Sequence, residues 1–226
     1  MQRERVIDIA EVLRDASLGD LRTLAEPPVT YDDLHDATNR LFDLLQEREV
    51  DYVLVGGLAM LQYVEGRNTR DIDLILAPRD LERLPEVAVA TRDKDFAHAL
   101  FDGVPLDLLL TSNQLFERVR TSYAKKRSFR HRDILCANPE GLVILKLFAL
   151  PSLYRQGDAR RIGIYEDDVF ALLERYELDV EPFFGELAPY LLPTDIAELR
   201  KIVRDIGARI ARVRERPFDT GSAPDP

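Results

Sequence analysis

One cysteine, three histidines and a deficit of basic residues, 31 against 41 acidic, mark what this 226-residue sequence has little of. A lone Cys136 can form no internal disulfide, which makes a reducing cytoplasm the expected compartment. It stands in the apolar stretch Ile134, Leu135, Cys136, the setting of a small buried hydrophobe rather than of a nucleophile. His35 falls in a helix-like stretch and His98 in a strand-like one, without metal-ligand spacing, so zinc chemistry has no support. No apolar run approaches the length that spans a bilayer, and no membrane partner is expected. The opening MQRERVIDIAEVLRD alternates charge with apolar residues and lacks the uninterrupted apolar core of a signal peptide. The net charge of −10 argues against a wide nucleic-acid footprint, though not against a local basic patch. No internal repeat is found.

What is present is enough for a folded chain. With 46% hydrophobic and 32% charged residues, the composition excludes a disordered chain. The length suits a catalytic domain with a helical appendage. We read residues 1–138 as a core that begins with one or two amphipathic helices over 1–24, residues 139–215 as a C-terminal helical region, and the Pro-, Gly- and Asp-rich 216–226 as a disordered tail.

The most informative stretch is VLVGGLAMLQYVEGRNTRDIDLIL, from Val53 to Leu76. An apolar strand stops at Gly56-Gly57, a short helix over Leu58 to Val64 follows, and a second strand opens with Asp71-Ile72-Asp73. Alternation along a strand puts Asp71 and Asp73 on one face and Ile72 and Leu74 on the other. Two carboxylates this close repel unless a cation lies between them, and hard oxygen ligands suit Mg²⁺ or Mn²⁺. A glycine pair at the start of a helix lets backbone N–H groups approach a phosphate. A solvated strand end bearing two acids is the plainer alternative.

Thirteen residues separate Gly57 from Asp71, and the pattern resembles the nucleotidyltransferase superfamily related to DNA polymerase beta, in which h-G-[GS] precedes D-h-[DE]-h. Within it, the Gly-Gly pair, Arg67, Thr69, Asp71 and Asp73 resemble the G-G…R-x-T-x-D-I-D pattern of the small bacterial branch that includes AbiEii/MenA-type toxins and lincosamide nucleotidyltransferases. Where many members carry serine, this chain has Gly57, so a hydroxyl contact to phosphate is absent there.

Elsewhere the signals are local. Thr30 with Asp33 forms a capping box for a helix carrying Leu34, Leu41, Leu44 and Leu45. Pro78 to Leu84 reads as a helical turn and Glu86 to Thr91 as a weakly alternating strand. Phe96 to Phe101 and Val104 to Leu110 flank Asp102-Gly103, a strong hairpin signal. Inside the second arm stands Asp107, amid leucines. It is either an edge-strand acid facing water or, as the resemblance implies, a third catalytic carboxylate from a strand beside the D-h-D strand. Ser112 or Asn113 caps a helix containing Leu115, Phe116 and Val119. From Arg118 to Arg132 the chain collects Arg118, Arg120, Lys125, Lys126, Arg127, Arg130 and Arg132 with His131, Tyr123 and Phe129. This is either a solvated helix face and loop or a surface for nucleotide or RNA backbone, with the rings available for stacking.

Phe129 to Cys136 reads as a strand, and Asn138-Pro139 as a helix start. In the helix GLVILKLFAL, Lys146 either snorkels or has a partner; the resemblance assigns it to the nucleotide phosphates. Arg155, Asp158, Arg160 and Arg161 read as an exposed loop, and Asp167 and Asp168 as the first turn of the next helix. Thr194 is read as the cap of a final helix with a stripe from Ile196 to Ile210.

Taken together, the expected fold is α+β, a mixed sheet of about five strands with flanking helices and a C-terminal helical region. The resemblance implies a metal-dependent transfer of a nucleoside monophosphate from a nucleoside triphosphate to an acceptor hydroxyl, with Mg²⁺ or Mn²⁺ on Asp71, Asp73 and Asp107 and nucleotide contacts from Gly56, Gly57, Arg67, Thr69 and Lys146. The acceptor stays open among a tRNA end, a protein side chain and a small hydroxyl compound, and the toxin relatives imply a cognate antitoxin. The other reading is a non-catalytic or antitoxin-like member that works by binding a partner.

Overall fold

The computed structural model describes residues 30–67, 69–129 and 132–215. The helices read over 1–24, the tail 216–226, and Arg130 and His131 lie outside the described residues. The chain divides into two compact units, the first running to Leu142 and the second from Val143.

The first unit is built on helix α1 (Tyr31–Glu47), strand β1 (Tyr52–Val55), α2 (Gly56–Met60), β2 (Ile72–Leu76), α3 (Pro78–Leu81), β3 (Ala88–Arg92), β4 (Phe96–Phe101), β5 (Val104–Leu110), α4 (Gln114–Ser122), β6 (Ala124–Phe129) and β7 (Arg132–Ala137). The strands form one seven-stranded sheet in the order β3-β4-β5-β2-β1-β7-β6. It is mixed: β2 pairs parallel with β5 and β1 parallel with β7, while the other neighbours run antiparallel. The central strands supply much of the core, with Val53, Leu54, Ile72, Leu74, Leu106 and Leu108 all buried. This is the α+β sheet with flanking helices read from the sequence, but it has seven strands rather than about five. The strand that hydropathy conceals is β6, because Lys125, Lys126 and Arg127 mask any apolar alternation on an edge strand.

Local chemistry explains most of the element boundaries. Thr30 and Asp33 form the capping box: the Thr30 hydroxyl oxygen accepts the Asp33 N–H at 3.2 Å and Asp33 accepts the Thr30 N–H at 2.9 Å. Asn113 caps α4 by accepting the Leu115 N–H at 3.0 Å. Between β4 and β5 the turn residues Asp102 and Gly103 have φ of 52° and 79°, the left-handed pair that a two-residue hairpin requires. The Cys136 thiol is buried in β7, and burial pushes its pKa up to about 12, which makes it inert.

Helix α5 (Pro139–Gln156) begins in the first unit and continues into the second. Asn138 caps it through the Gly141 N–H at 2.9 Å. The second unit adds α6 (Ala159–Tyr176), α7 (Glu181–Leu187) and α8 (Pro193–Glu215). Two boundaries in this unit differ from the sequence reading. Of the stretch read as a loop, Arg155 belongs to α5 and Arg160 and Arg161 to the start of α6, capped by Asp158, which accepts the Arg161 N–H at 3.0 Å; Asp167 and Asp168 therefore stand well inside the helix. In α8 the first turn closes from the Ile196 N–H to the Leu192 carbonyl at 3.1 Å, so the helix opens before Thr194. The stripe is as read, with Leu199, Val203 and Ile206 buried, and α8 packs on α6.

Candidate active site

The site grows from the way β1 ends and β2 begins. Val55 pairs with Asp73 across the antiparallel strands, and Asp73 pairs in turn with Asp107 across the parallel β2–β5 ladder. Directly opposed residues project from the same face. Asp71 lies one residue before β2, on the side of Asp73 by the same alternation. The outcome is a cluster in which one carboxylate oxygen from each of Asp71, Asp73 and Asp107 lies within 4.8 Å of the others. All three are half-buried, wet enough to admit an ion and enclosed enough to hold it.

The glycine pair is shaped around these acids. Gly56 has φ of 62°, and a Cβ there would stand 1.9 Å from Asp73 Oδ2. The Gly57 N–H points to that same oxygen at 3.4 Å, and a Cβ at Gly57 would stand 2.2 Å from Thr69 Oγ1. Glycine is thus required at both positions by close approach and at Gly56 also by backbone conformation. The helix begins at the glycines themselves rather than at Leu58. Thr69 is buried, and its hydroxyl donates to Asp71 Oδ1 at 2.7 Å, so Thr69 orients the first acid from the space that Gly57 leaves. Arg67 lies half-buried in the same loop.

A direct test of this packing is Gly56→Ala. A left-handed backbone costs an L-residue about 1–2 kcal/mol, and the collision with Asp73 adds about 1–3 kcal/mol of overpacking. We expect a melting temperature lower by about 5–15 °C, from ~2–4 °C per kcal/mol for a chain of this size, together with loss of divalent-cation binding as Asp73 is displaced. An unchanged melting temperature would show that the backbone at Gly56 is not held as described.

One participant carried no sequence signal of its own. His98 on β4 pairs with Asp107 on β5, and its Nδ1 lies 2.7 Å from Asp107 Oδ1. The row His98, Asp107, Asp73 therefore crosses three adjacent strands on one face. Symmetry about the turn marks the pair in the sequence: His98 is four residues before Asp102 and Asp107 four after Gly103.

The structure divides the basic cluster. Arg120 is paired with Glu117 at 2.7 Å, Arg132 with Asp43 at 2.6 Å, and Arg127 lies over the Tyr63 ring, 5.2 Å from its centroid. Lys125 and Lys126 are exposed on β6, not on a helix face, and as consecutive strand residues they point to opposite sides. In the second unit Lys146 is buried, with its Nζ 2.9 Å from Asp168 and 3.8 Å from the centre of the Tyr165 ring. The partner its burial demands is Asp168.

No family model matches the chain, and no curated protein does. Solved structures do. An antigenic nucleotidyltransferase-like protein from Paracoccidioides brasiliensis aligns over 82% of this chain and 95% of its own, at 16% identity and a TM-score of 0.53. The antibiotic-resistance factor ANT(2'')-Ia aligns over 82% of this chain and 100% of its own, at 14% identity and a TM-score of 0.48. At this level of identity the first likeness speaks for architecture: the chain has a nucleotidyltransferase-like fold.

Proposed function

We propose that this protein is a divalent-cation-dependent nucleotidyltransferase that moves a nucleoside monophosphate from a nucleoside triphosphate to an acceptor hydroxyl. The observation that carries the reading is the convergence of Asp71, Asp73 and Asp107 beside a glycine pair against which Asp73 and Thr69 pack closely. Three carboxylate oxygens within 4.8 Å are a hard, all-oxygen donor set, which fits Mg²⁺ or Mn²⁺ and not zinc. Asp71, Asp73 and Asp107 would hold the cation. When bound, it neutralises charge on the triphosphate and lowers the pKa of a hydroxyl brought to it.

The remaining work falls to the chain. Asp107 takes the proton of the acceptor hydroxyl; the acceptor oxygen forms a bond to the α-phosphorus as the bond to the bridging oxygen breaks, and pyrophosphate leaves. Thr69 keeps Asp71 oriented through its hydroxyl. The family resemblance implies phosphate contacts at Gly56 and Gly57, and Arg67 stands in the same loop as the acids.

Incubation with each α-labelled nucleoside triphosphate, Mg²⁺ and, separately, RNA, cell protein or small-molecule extract reads both activity and acceptor class. Label transfer should require the divalent cation. Triphosphate binding of equal affinity in excess chelator, with no label transferred to any fraction, would overturn the proposal, since uncompensated carboxylates repel a polyphosphate.

A further inference from the structure

We propose that His98 is a positioning residue for Asp107, setting the orientation in which that carboxylate meets the divalent cation and the acceptor hydroxyl; the inference rests on the nucleotidyltransferase reading above. A carboxylate accepts hydrogen bonds and does not donate them, so at 2.7 Å the hydrogen of the contact lies on His98 Nδ1. The two side chains come from directly opposed residues of an antiparallel pair, anchored by the Asp102-Gly103 turn. The hydrogen bond is therefore built into the hairpin register.

Exposure decides what the contact is for. The side chains are 63% and 30% exposed, and a pair this open adds little to stability. Its effect on geometry is larger. The carboxylate torsion of aspartate is broad and nearly two-fold, so an untethered Asp107 would present either oxygen over a range of angles. With Oδ1 held by His98, the carboxylate plane is set and its remaining lone pairs take fixed directions. Partners of this kind behind a metal-binding carboxylate typically matter by about 10–100-fold in metal affinity or rate.

Three readouts test this. In the metal-free protein, ¹⁵N NMR of the imidazole should show a hydrogen on Nδ1 of His98. Mn²⁺ titration should show His98→Phe binding about 10-fold or more weaker than wild type, with kcat lowered and KM for the triphosphate within about twofold. His98→Asn, whose amide nitrogen takes the place of Nδ1 as donor, should recover most of both. Melting temperatures of the two variants should match the wild type, because the pair is exposed and Phe suits a strand. Wild-type Mn²⁺ affinity and kcat in His98→Phe, or an Nε2–H tautomer in the wild type, would overturn the positioning role alone. Failure of the wild type to bind Mn²⁺ at all would overturn the reading of the site and this role with it.

Discussion

Asp107→Asn should reduce nucleotidyl transfer by at least ~100-fold, the low end of what a positioned acid–base group contributes, while leaving the protein folded. Asparagine keeps the shape of the residue and an oxygen that can still accept from His98 Nδ1, so the β4–β5 contact survives. What disappears is the charge opposite Asp73. Removing one of three crowded acids also relieves repulsion in the empty site, so the metal-free variant should melt at or slightly above the wild-type temperature. Cation affinity should fall together with turnover. Turnover, Mn²⁺ affinity and melting temperature measured on one preparation separate the alternatives. A fully active Asp107→Asn would reduce Asp107 to a strand residue facing water and send the search for a third carboxylate elsewhere.

The largest effect on stability is expected at Lys146 and Asp168. Both are buried, 5% and 4% exposed, and lie 2.9 Å apart. Removing either charge leaves the other in the interior without its counter-ion, which costs about 3–5 kcal/mol. Lys146→Met and Asp168→Asn should each lower the melting temperature by on the order of 10 °C. The double variant Lys146→Met/Asp168→Leu should recover most of that loss, because a well-packed apolar pair often replaces a buried ion pair without penalty. Near-neutral single variants would show that the pair does not hold α5 to α6.

Much of this protein was legible locally. The side-chain period of two put Asp71 and Asp73 on one face before any strand had a neighbour. The Asp102-Gly103 dipeptide defined a hairpin, and Thr30, Asn113 and Asn138 announced helices whose caps the structure contains. These features depend on residues a few positions apart, and their hydrogen bonds close inside short segments. Even the contact between His98 and Asp107 follows once the turn is taken as two residues, because hairpin register is then fixed by counting.

The rest required the assembled fold. Nothing near Asp107 in the chain says that β5 lies parallel to β2 with Asp107 opposite Asp73, since β3 and β4 intervene and the choice of strand partner is settled by the whole sheet. Charge hid β6, and the run of acids and arginines after Gln156 looked like a loop because its apolar positions are sparse; packing of α6 on α8 makes it a helix. The apolar surroundings of Lys146 left it either to snorkel or to find a partner, and only the tertiary structure names Asp168. The sequence by itself determined the local conformations and the chemical character of the site, because both are set by neighbours along the chain. Which acids meet, and which cation meets which acid, was decided only when distant segments packed, because those contacts are fixed by the burial of apolar faces far from them in sequence.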